Sequence, residues 1–383
     1  MEKVAILGAT SQSTPALFRA LRGSRAAAHL RFALAARSSL RLGAIVRAIE
    51  MIGDGAFALT RHSFSDLDLQ SAITDCAAIV IQIRYGGLKG REFDESFPLQ
   101  FGVCGDEGLG PGGFSSAWRS WPELNKLLAL IQRVNPHAQV LLLTSPCSLL
   151  TRLARICWPD LCVRALCELP MTTLLAAESG TSQYDYIGIN HLGWLYGMPG
   201  KEPIALKYWR LHEEAQAVQS EQRLRPETRA AELQRLSDVA MRVFASGEKA
   251  QIEACLDARA APWYSHALGP LLESLVTRDS ATHFFFSDAN LGRHGEFRDD
   301  DVLEIPHHWE RGRLMRKPVR MPVPKKLLTL LQPFVEYEHA AAQIILARAP
   351  ADVDRALSRH PWVAARAQAA ALARSVLAAN IAA

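Results

Sequence analysis

No stretch of this sequence comes near the roughly 20 consecutive apolar residues that a helix needs to cross a bilayer. The first residues, MEKVAILGAT, run straight into a strand-like apolar segment. They lack the basic, apolar and small-residue regions of a secretory signal, so a cytoplasmic protein is expected. Cysteine is sparse, seven among 383 residues, and an odd number argues against a disulfide framework. Cys76, Cys157 and Cys255 lie among apolar neighbours and read as reduced core residues. Charge of one sign is not gathered anywhere: the net charge is +4 and spread along the chain. That excludes a nucleic-acid footprint and favours small acidic molecules. No internal repeat is visible. What is present, 49% hydrophobic and 21% charged residues, is ordinary for a globular enzyme and enough for two domains.

Short apolar runs alternate with helical patterns in the first part, the signature of βαβ units and a parallel sheet. Strands are expected at Val4–Leu7, Leu30–Ala35, Ala77–Ile83 and Val140–Thr144. A capped helix opens at Thr14-Pro15. The segment Gly86–Gly113, rich in glycine and charge, reads as a long loop above the carboxyl edge of the sheet. After Pro146 come a helix at Ser148–Ile156 and strands at Cys162–Cys167 and Asp185–Ile189. A charged helical region covers about Lys207 to Arg242, and helices are expected at Lys325–Arg348 and through the alanine-rich tail from Ala351. The fold class is thus α/β: a doubly wound, Rossmann-type parallel sheet over residues 1–165, then a mixed α+β domain over 166–383.

The first turn, Gly8-Ala9-Thr10-Ser11-Gln12-Ser13, stands where a Rossmann fold carries the glycines that let backbone approach a pyrophosphate. Only the first glycine is present. The second strand ends Ala35-Ala36-Arg37, where an acid for the ribose hydroxyls is usual. Gly8, Thr10, Ser11 and Thr14, with Arg37 and Ile83 at neighbouring strand ends, are the candidate cofactor contacts. Arg37 suits a phosphate. Retention of the fold with loss of tight dinucleotide binding is equally compatible with these residues.

Several later segments fall in a telling order. They are QIRYGGLKGREFDESFPLQFGVCGDEGLGPGG (Gln82–Gly113), with Arg119 after it, Thr144-Ser145-Pro146, Cys167-Glu168-Leu169-Pro170 and Ile189-Asn190-His191-Leu192-Gly193-Trp194. Trp263-Tyr264-Ser265, Leu303-Glu304-Ile305-Pro306 and Ser358-Arg359-His360-Pro361 follow. Together they resemble the NAD- and manganese-dependent family 4 glycoside hydrolases, which include 6-phospho-glucosidases and α-galactosidases. That family reads Q-I-R-V-G-G, R-x-x-D-E-x-x-P-L-x-x-G, G-Q-E-T-x-G-x-G-G, T-N-P, C-[ND]-x-P and G-x-N-H, so the resemblance spans most of the chain.

The resemblance implies an elimination–addition route, an exception to two-carboxylate glycoside hydrolysis. Bound NAD oxidises the sugar at C3, which acidifies the C2 proton. A divalent metal stabilises the enediolate, a tyrosine takes the proton, the aglycone leaves C1, water adds and hydride returns to C3. Cys167 and His191 match the metal ligands, a thiolate and an imidazole suited to Mn²⁺ or another divalent ion. Glu168 stands where the family has Asn or Asp, and so is a candidate acid for the leaving group, a third ligand, or a substitution that ends activity. Arg91 matches a substrate-binding arginine, with Asp94 or Glu95 as alternative ion-pair partners. Ser145, Asn190 and Arg229 (or Arg225) complete the candidate substrate contacts. Tyr208 is the candidate base and Tyr264 its reserve. The implied partner is a small sugar or sugar phosphate, with no nucleic acid or membrane, and the family forms homodimers or homotetramers.

Departures from the family pattern cluster at Thr10, Ala36, Asp106-Glu107-Gly108 and Ser145, while the metal pair is intact. Alternative readings are a degenerate sugar- or nucleotide-binding relative with a regulatory role, or an NAD-dependent sugar dehydrogenase or epimerase.

Overall fold

The computed structural model describes residues 1–177, 183–206, 210, 214–280 and 282–380. Its first half alternates strands and helices: β1 (Glu2–Leu7), α1 (Thr14–Leu21), β2 (Leu30–Ala35), α2 (Ser39–Gly53), β3 (Ala58–His62), α3 (Asp66–Ile73), β4 (Cys76–Ile81), α4 (Gly87–Ser96), α5 (Pro111–Val134), β5 (Gln139–Leu142), α6 (Cys147–Cys157), β6 (Val163–Cys167) and α7 (Leu169–Ala176). The first six strands are parallel in the order β3-β2-β1-β4-β5-β6, the order of a doubly wound dinucleotide-binding sheet. Side chains of β1 show why it is buried on both faces. Val4 and Ile6 join one core, with Phe18 and Phe32, while Ala5 and Leu7 join the other, with Phe114 and Trp118.

The sheet does not stop at β6. Strands β10 (Phe284–Ala289), β11 (Val302–Glu310) and β12 (Arg313–Arg316) add to it in antiparallel fashion, β10 pairing directly with β6, to give nine strands. Six strands thus come from the first expected domain and three from the second, and β6 straddles residue 165. A separate three-stranded antiparallel sheet holds β7 (Asp185–Ile189), β8 (Leu192–Tyr196) and β9 (Ile204–Ala205). It shares a core with the long helix Lys325–Ala347 through Ile187, Leu192, Leu331 and Phe334.

Two sequence expectations need correcting. The segment Gly86–Gly113 is not a loop: it holds α4 and the short 3-10 turn Phe97–Phe101. Gly86 at its cap, Gly87 and Gly90 within it and a strongly polar sequence hid this helix, which the i,i+4 ion pair of Arg91 with Glu95 supports. Helix α1 begins at Thr14 with Pro15 in its first turn, as expected, but Ser13 at the cap position supplies no side-chain hydrogen bond. No helix among the described residues is long and apolar enough to cross a membrane.

Candidate active site

In a parallel α/β sheet, ligands bind in the crevice beyond the carboxyl ends of the strands. Four neighbouring strands place a sequence motif there. The Gly8 turn follows β1, Gln82–Gly87 follows β4, Thr144–Cys147 follows β5, and Cys167-Glu168 ends β6.

At the first of these, Gly8 has φ +87°, and a Cβ there would come within 2.9 Å of Ile83 Cγ1. Only glycine fits. Its carbonyl accepts from Gln82 Nε2 (3.2 Å), which also donates to Thr14 Oγ1 (2.8 Å), while Tyr264 Oη donates to Gln82 Oε1 (2.6 Å). Thr14 and Tyr264 are therefore bound up in holding the turn against β4. Thr10 and Ser11 are half-buried within it, and Arg37 is exposed just beyond β2. Ile83 gives its carbonyl to Thr144 Oγ1 at 3.0 Å. Gln12 is buried with neither amide atom partnered, and the Ser13 hydroxyl is also buried and unpartnered. Orphaned buried polar atoms at a helix amino end are what a bound phosphate group satisfies. Gln82 opens the segment matched to the Q-I-R-V-G-G motif, whereas Gln12 was not singled out among the candidate cofactor contacts.

The second group is built on β6 and the β7–β8 hairpin. Cys167 is the last residue of β6, and Glu168 precedes α7. His191 and Asn190 form the two-residue hairpin loop, with φ of 72° and 44°. Two left-handed residues give the hairpin a turn whose twist matches its strands. One ligand atom each from Cys167, Glu168 and His191 lies within 4.8 Å of the others. Burial pushes the Cys167 thiol well up, and Glu304 and Glu168 add to this. Burial likewise raises Cys147, with Glu304, Glu168, Glu107 and Glu338 contributing. Both thiols thus lie in the field of the Glu168 and Glu304 carboxylates, which a divalent cation would relieve. The donor set, one sulfur, one imidazole and one carboxylate, suits such an ion.

Tyr186, on β7, reaches across this hairpin. Gly188 and Gly193 face each other in register, and a Cβ on either would collide with the Tyr186 hydroxyl and come within 2.9 Å of its Cζ. Gly193→Ala is expected to destabilise the protein by about 1–3 kcal/mol through overpacking, measurable as a lower urea midpoint.

Opposite the cluster stands a network of paired charges. Glu107 binds Arg84 and, at 3.0 Å, Arg91, which also holds Glu95 at 2.8 Å. Burial works against the Glu107 charge, yet Arg84 and Arg91 hold its carboxyl below the usual range. Asp94 takes Arg119 instead, and Arg119 also donates to the Tyr85 carbonyl and Asn380. Asp106 accepts from the backbone N–H groups of Gly108, Leu109 and Gly110 ahead of α5. His360, buried, reaches the Leu109 carbonyl at 2.9 Å and steadies the same loop.

A cavity of about 660 Å³ opens between these groups, lined by Arg91, Glu107, Ser145, Asn190, His191 and Arg229, with Arg225 alongside. The structure therefore brings together the sequence-predicted substrate residues and one predicted metal ligand. The Asn190 side chain is already engaged, accepting from Ser148 N (3.0 Å) and donating to Glu338 (2.6 Å). Arg229 pairs with Glu232 at 2.5 Å. Arg259, half-buried near Arg91, Arg229 and Arg84, was missed in the sequence; burial first, and then these like charges, push it down to about 10. Tyr208 lies outside the described residues.

Residues 3–177 match the model of the family 4 glycosyl hydrolases. Over that stretch, a little under half of its length, the chain is similar to that family. Among curated relatives, maltose-6'-phosphate glucosidase of Clostridium acetobutylicum is 31% identical over 132 residues, 33% of this chain and 30% of that protein. The 6-phospho-beta-glucosidase of Escherichia coli is 21% identical over 373 residues, 83% of this chain and 81% of the relative. The aligned region thus spans about a third of the length of the first curated relatives and most of the more distant one. A solved structure of the Thermotoga maritima 6-phospho-beta glucosidase, with manganese, NAD+ and glucose-6-phosphate, superposes with a TM-score of 0.88 at 22% identity, covering 100% of this chain and 99% of that one. The fold shared with that enzyme accordingly runs through the carboxyl-terminal half, beyond the stretch that the family model matches.

Proposed function

We propose that this chain is a family 4 glycosidase acting on a 6-phosphorylated glucoside, with NAD and a divalent metal, preferably Mn²⁺. The observation that carries this reading is the Cys167–Glu168–His191 cluster beside a cavity lined by Arg91, Ser145 and Arg229. Relatives named as 6-phospho-glucosidases, and the solved neighbour with manganese, NAD+ and glucose-6-phosphate, support the same substrate and cofactors. When bound, the cofactor supplies reversible oxidation at C3 of the sugar, and the metal supplies the Lewis acidity that makes the C2 proton removable.

Cys167 and His191 would hold the ion, with the Glu168 carboxylate near enough to share it. Arg91 is oriented by Glu95 and Glu107, so its guanidinium is fixed before substrate arrives. Arg225 and Arg229, beside Glu221 and Glu232 in the outer part of the cavity, are the cations there for a phosphate dianion. Ser145, beside the metal cluster, offers a hydroxyl to the sugar ring. The turn Gly8–Ser13 receives the cofactor pyrophosphate, with Gln12 and Ser13 finding partners there. Tyr264, committed to Gln82, serves that turn rather than proton transfer.

The test is exchange of the C2 proton for deuterium in α- and β-linked 6-phosphoglucosides, followed by NMR with NAD and Mn²⁺ added. Exchange that needs both additions is expected. No exchange with either anomer would overturn the reading.

A further inference from the structure

Glu304 belongs to the Leu303-Glu304-Ile305-Pro306 segment of β11, and nothing in the proposed chemistry uses it. It is 2% exposed, and both carboxylate oxygens are occupied. Oε1 accepts from the backbone N–H of His191 at 3.2 Å, and Oε2 accepts from the Tyr186 hydroxyl. Glu304 sits on the nine-stranded sheet, opposite Ser287 of β10, and the same β10 pairs with Cys167 through Phe285. His191 sits on the other sheet. One carboxylate therefore ties the hairpin that carries the imidazole to the sheet that carries the thiol.

Three local features converge on that tie. His191 is held at φ 72°, a conformation that residues other than glycine seldom adopt. Gly188 and Gly193 face each other, and their missing Cβ atoms leave the slot through which Tyr186 passes. The Tyr186 ring is itself wedged edge-on against Phe285, with centroids 5.0 Å apart. Ring, slot and carboxylate form a rigid line ending on the backbone of His191.

We infer that Glu304 is a positioning residue for the metal site. Its carboxylate, steadied by Tyr186 through the glycine slot, locks the His191 backbone so that the imidazole meets Cys167 and Glu168. The inference rests on the metal reading proposed above. It does not require Glu304 to touch the ion.

The experiment is titration of the full chain with Mn²⁺ alone, without NAD or sugar, read by the loss of free-ion EPR signal. Wild type, Glu304→Ala, Glu304→Gln and Tyr186→Phe are compared, each checked for folding by circular dichroism. Glutamine is nearly isosteric: its carbonyl keeps the His191 bond and its amide donates to the phenol oxygen. Glu304→Ala is expected to bind about 10- to 100-fold more weakly, as for other residues that orient ligands. Glu304→Gln is expected to recover most of that loss, and Tyr186→Phe to fall between the two. Equal affinity in all folded variants would overturn the inference alone. Glu304→Gln as weak as Glu304→Ala would overturn it too, by moving the role from hydrogen bonding to charge. If Glu304→Ala does not fold, Glu304→Gln and Tyr186→Phe, each a one-atom change, carry the test. Wild type without affinity would overturn the metal reading beneath it.

Discussion

Cys167→Ala is expected to lose about three or more powers of ten in manganese-dependent hydrolysis of a 6-phosphoglucoside, and His191→Ala a similar amount. A Lewis acid at a developing enediolate is worth several kcal/mol, and each 1.36 kcal/mol is tenfold in rate. Both ligands come from the protein's own elements, one at the end of β6 and one in the β7–β8 loop. Removing either leaves a site that cannot close around the ion. Cys167 is nearly fully buried among Leu169, Met171, Tyr186 and Phe285, so alanine leaves only a small cavity and the fold persists. Steady-state rates and a Mn²⁺ titration on the same preparations separate lost binding from lost turnover. Activity within tenfold of wild type in Cys167→Ala would remove the cluster from the chemistry. Glu168→Gln should fall less if the carboxylate only shares the ion. It should fall as far, and for good leaving groups recover, if Glu168 protonates the aglycone oxygen.

The largest stability loss is expected at Asp288. This residue, fully buried on β10, is met by Arg155 of α6 at 3.1 Å, Arg164 of β6 at 3.1 Å and Arg316 of β12 at 2.8 Å. His307 of β11 lies at 3.4 Å. Asp288→Ala would leave three guanidiniums crowded without their counter-charge, and breaking such a buried arrangement costs about 3–5 kcal/mol. Burial alone would raise the Asp288 pKa, but His307, Arg164 and Arg316 outweigh it and hold the carboxyl far below the usual range. The unfolded chain takes up that proton near pH 4, so the contribution is complete above this pH and is lost as pH falls further. Urea midpoints of wild type and Asp288→Ala should therefore differ most near pH 7 and converge in acid. A constant difference across that range would mean that charge is not the cause.

The sequence made some of this legible and hid the rest for identifiable reasons. Val4–Leu7 was recognisable as a strand because both of its faces are buried, which leaves an unbroken apolar run, and Leu30–Ala35 and Asp185–Ile189 are interrupted only at Arg31 and Asp185. β3, Ala-Leu-Thr-Arg-His, is a mostly exposed edge strand, and its polar residues disguise it. β10 to β12 were missed because nothing local says that a late hairpin will join an early parallel sheet. At the site, Cys167 and His191 were readable from their flanking residues. Arg91 and Arg229 were readable as cations, and Glu95 as a partner for Arg91, but the contact of Arg91 with Glu107 depends on how α4 packs against the segment before α5. Glu304 does its work through contacts more than 100 residues distant in sequence, as does Asp288 with two of its three arginines, and no spacing rule points to them.

The pairing of β10 with β6 has a consequence for how the chain reaches this state. During synthesis the six parallel strands emerge first, and β6 ends at Cys167 while its partner begins at Phe284. Until that partner arrives, β6 is an outer strand with its backbone donors and acceptors uncovered, the situation that invites pairing with another chain. The same strand carries the Cys167 thiol at its tip. Closure of the sheet by a distant segment thus sets the order of events: the edge is sealed, and the site is framed, only once the carboxyl-terminal half has been made.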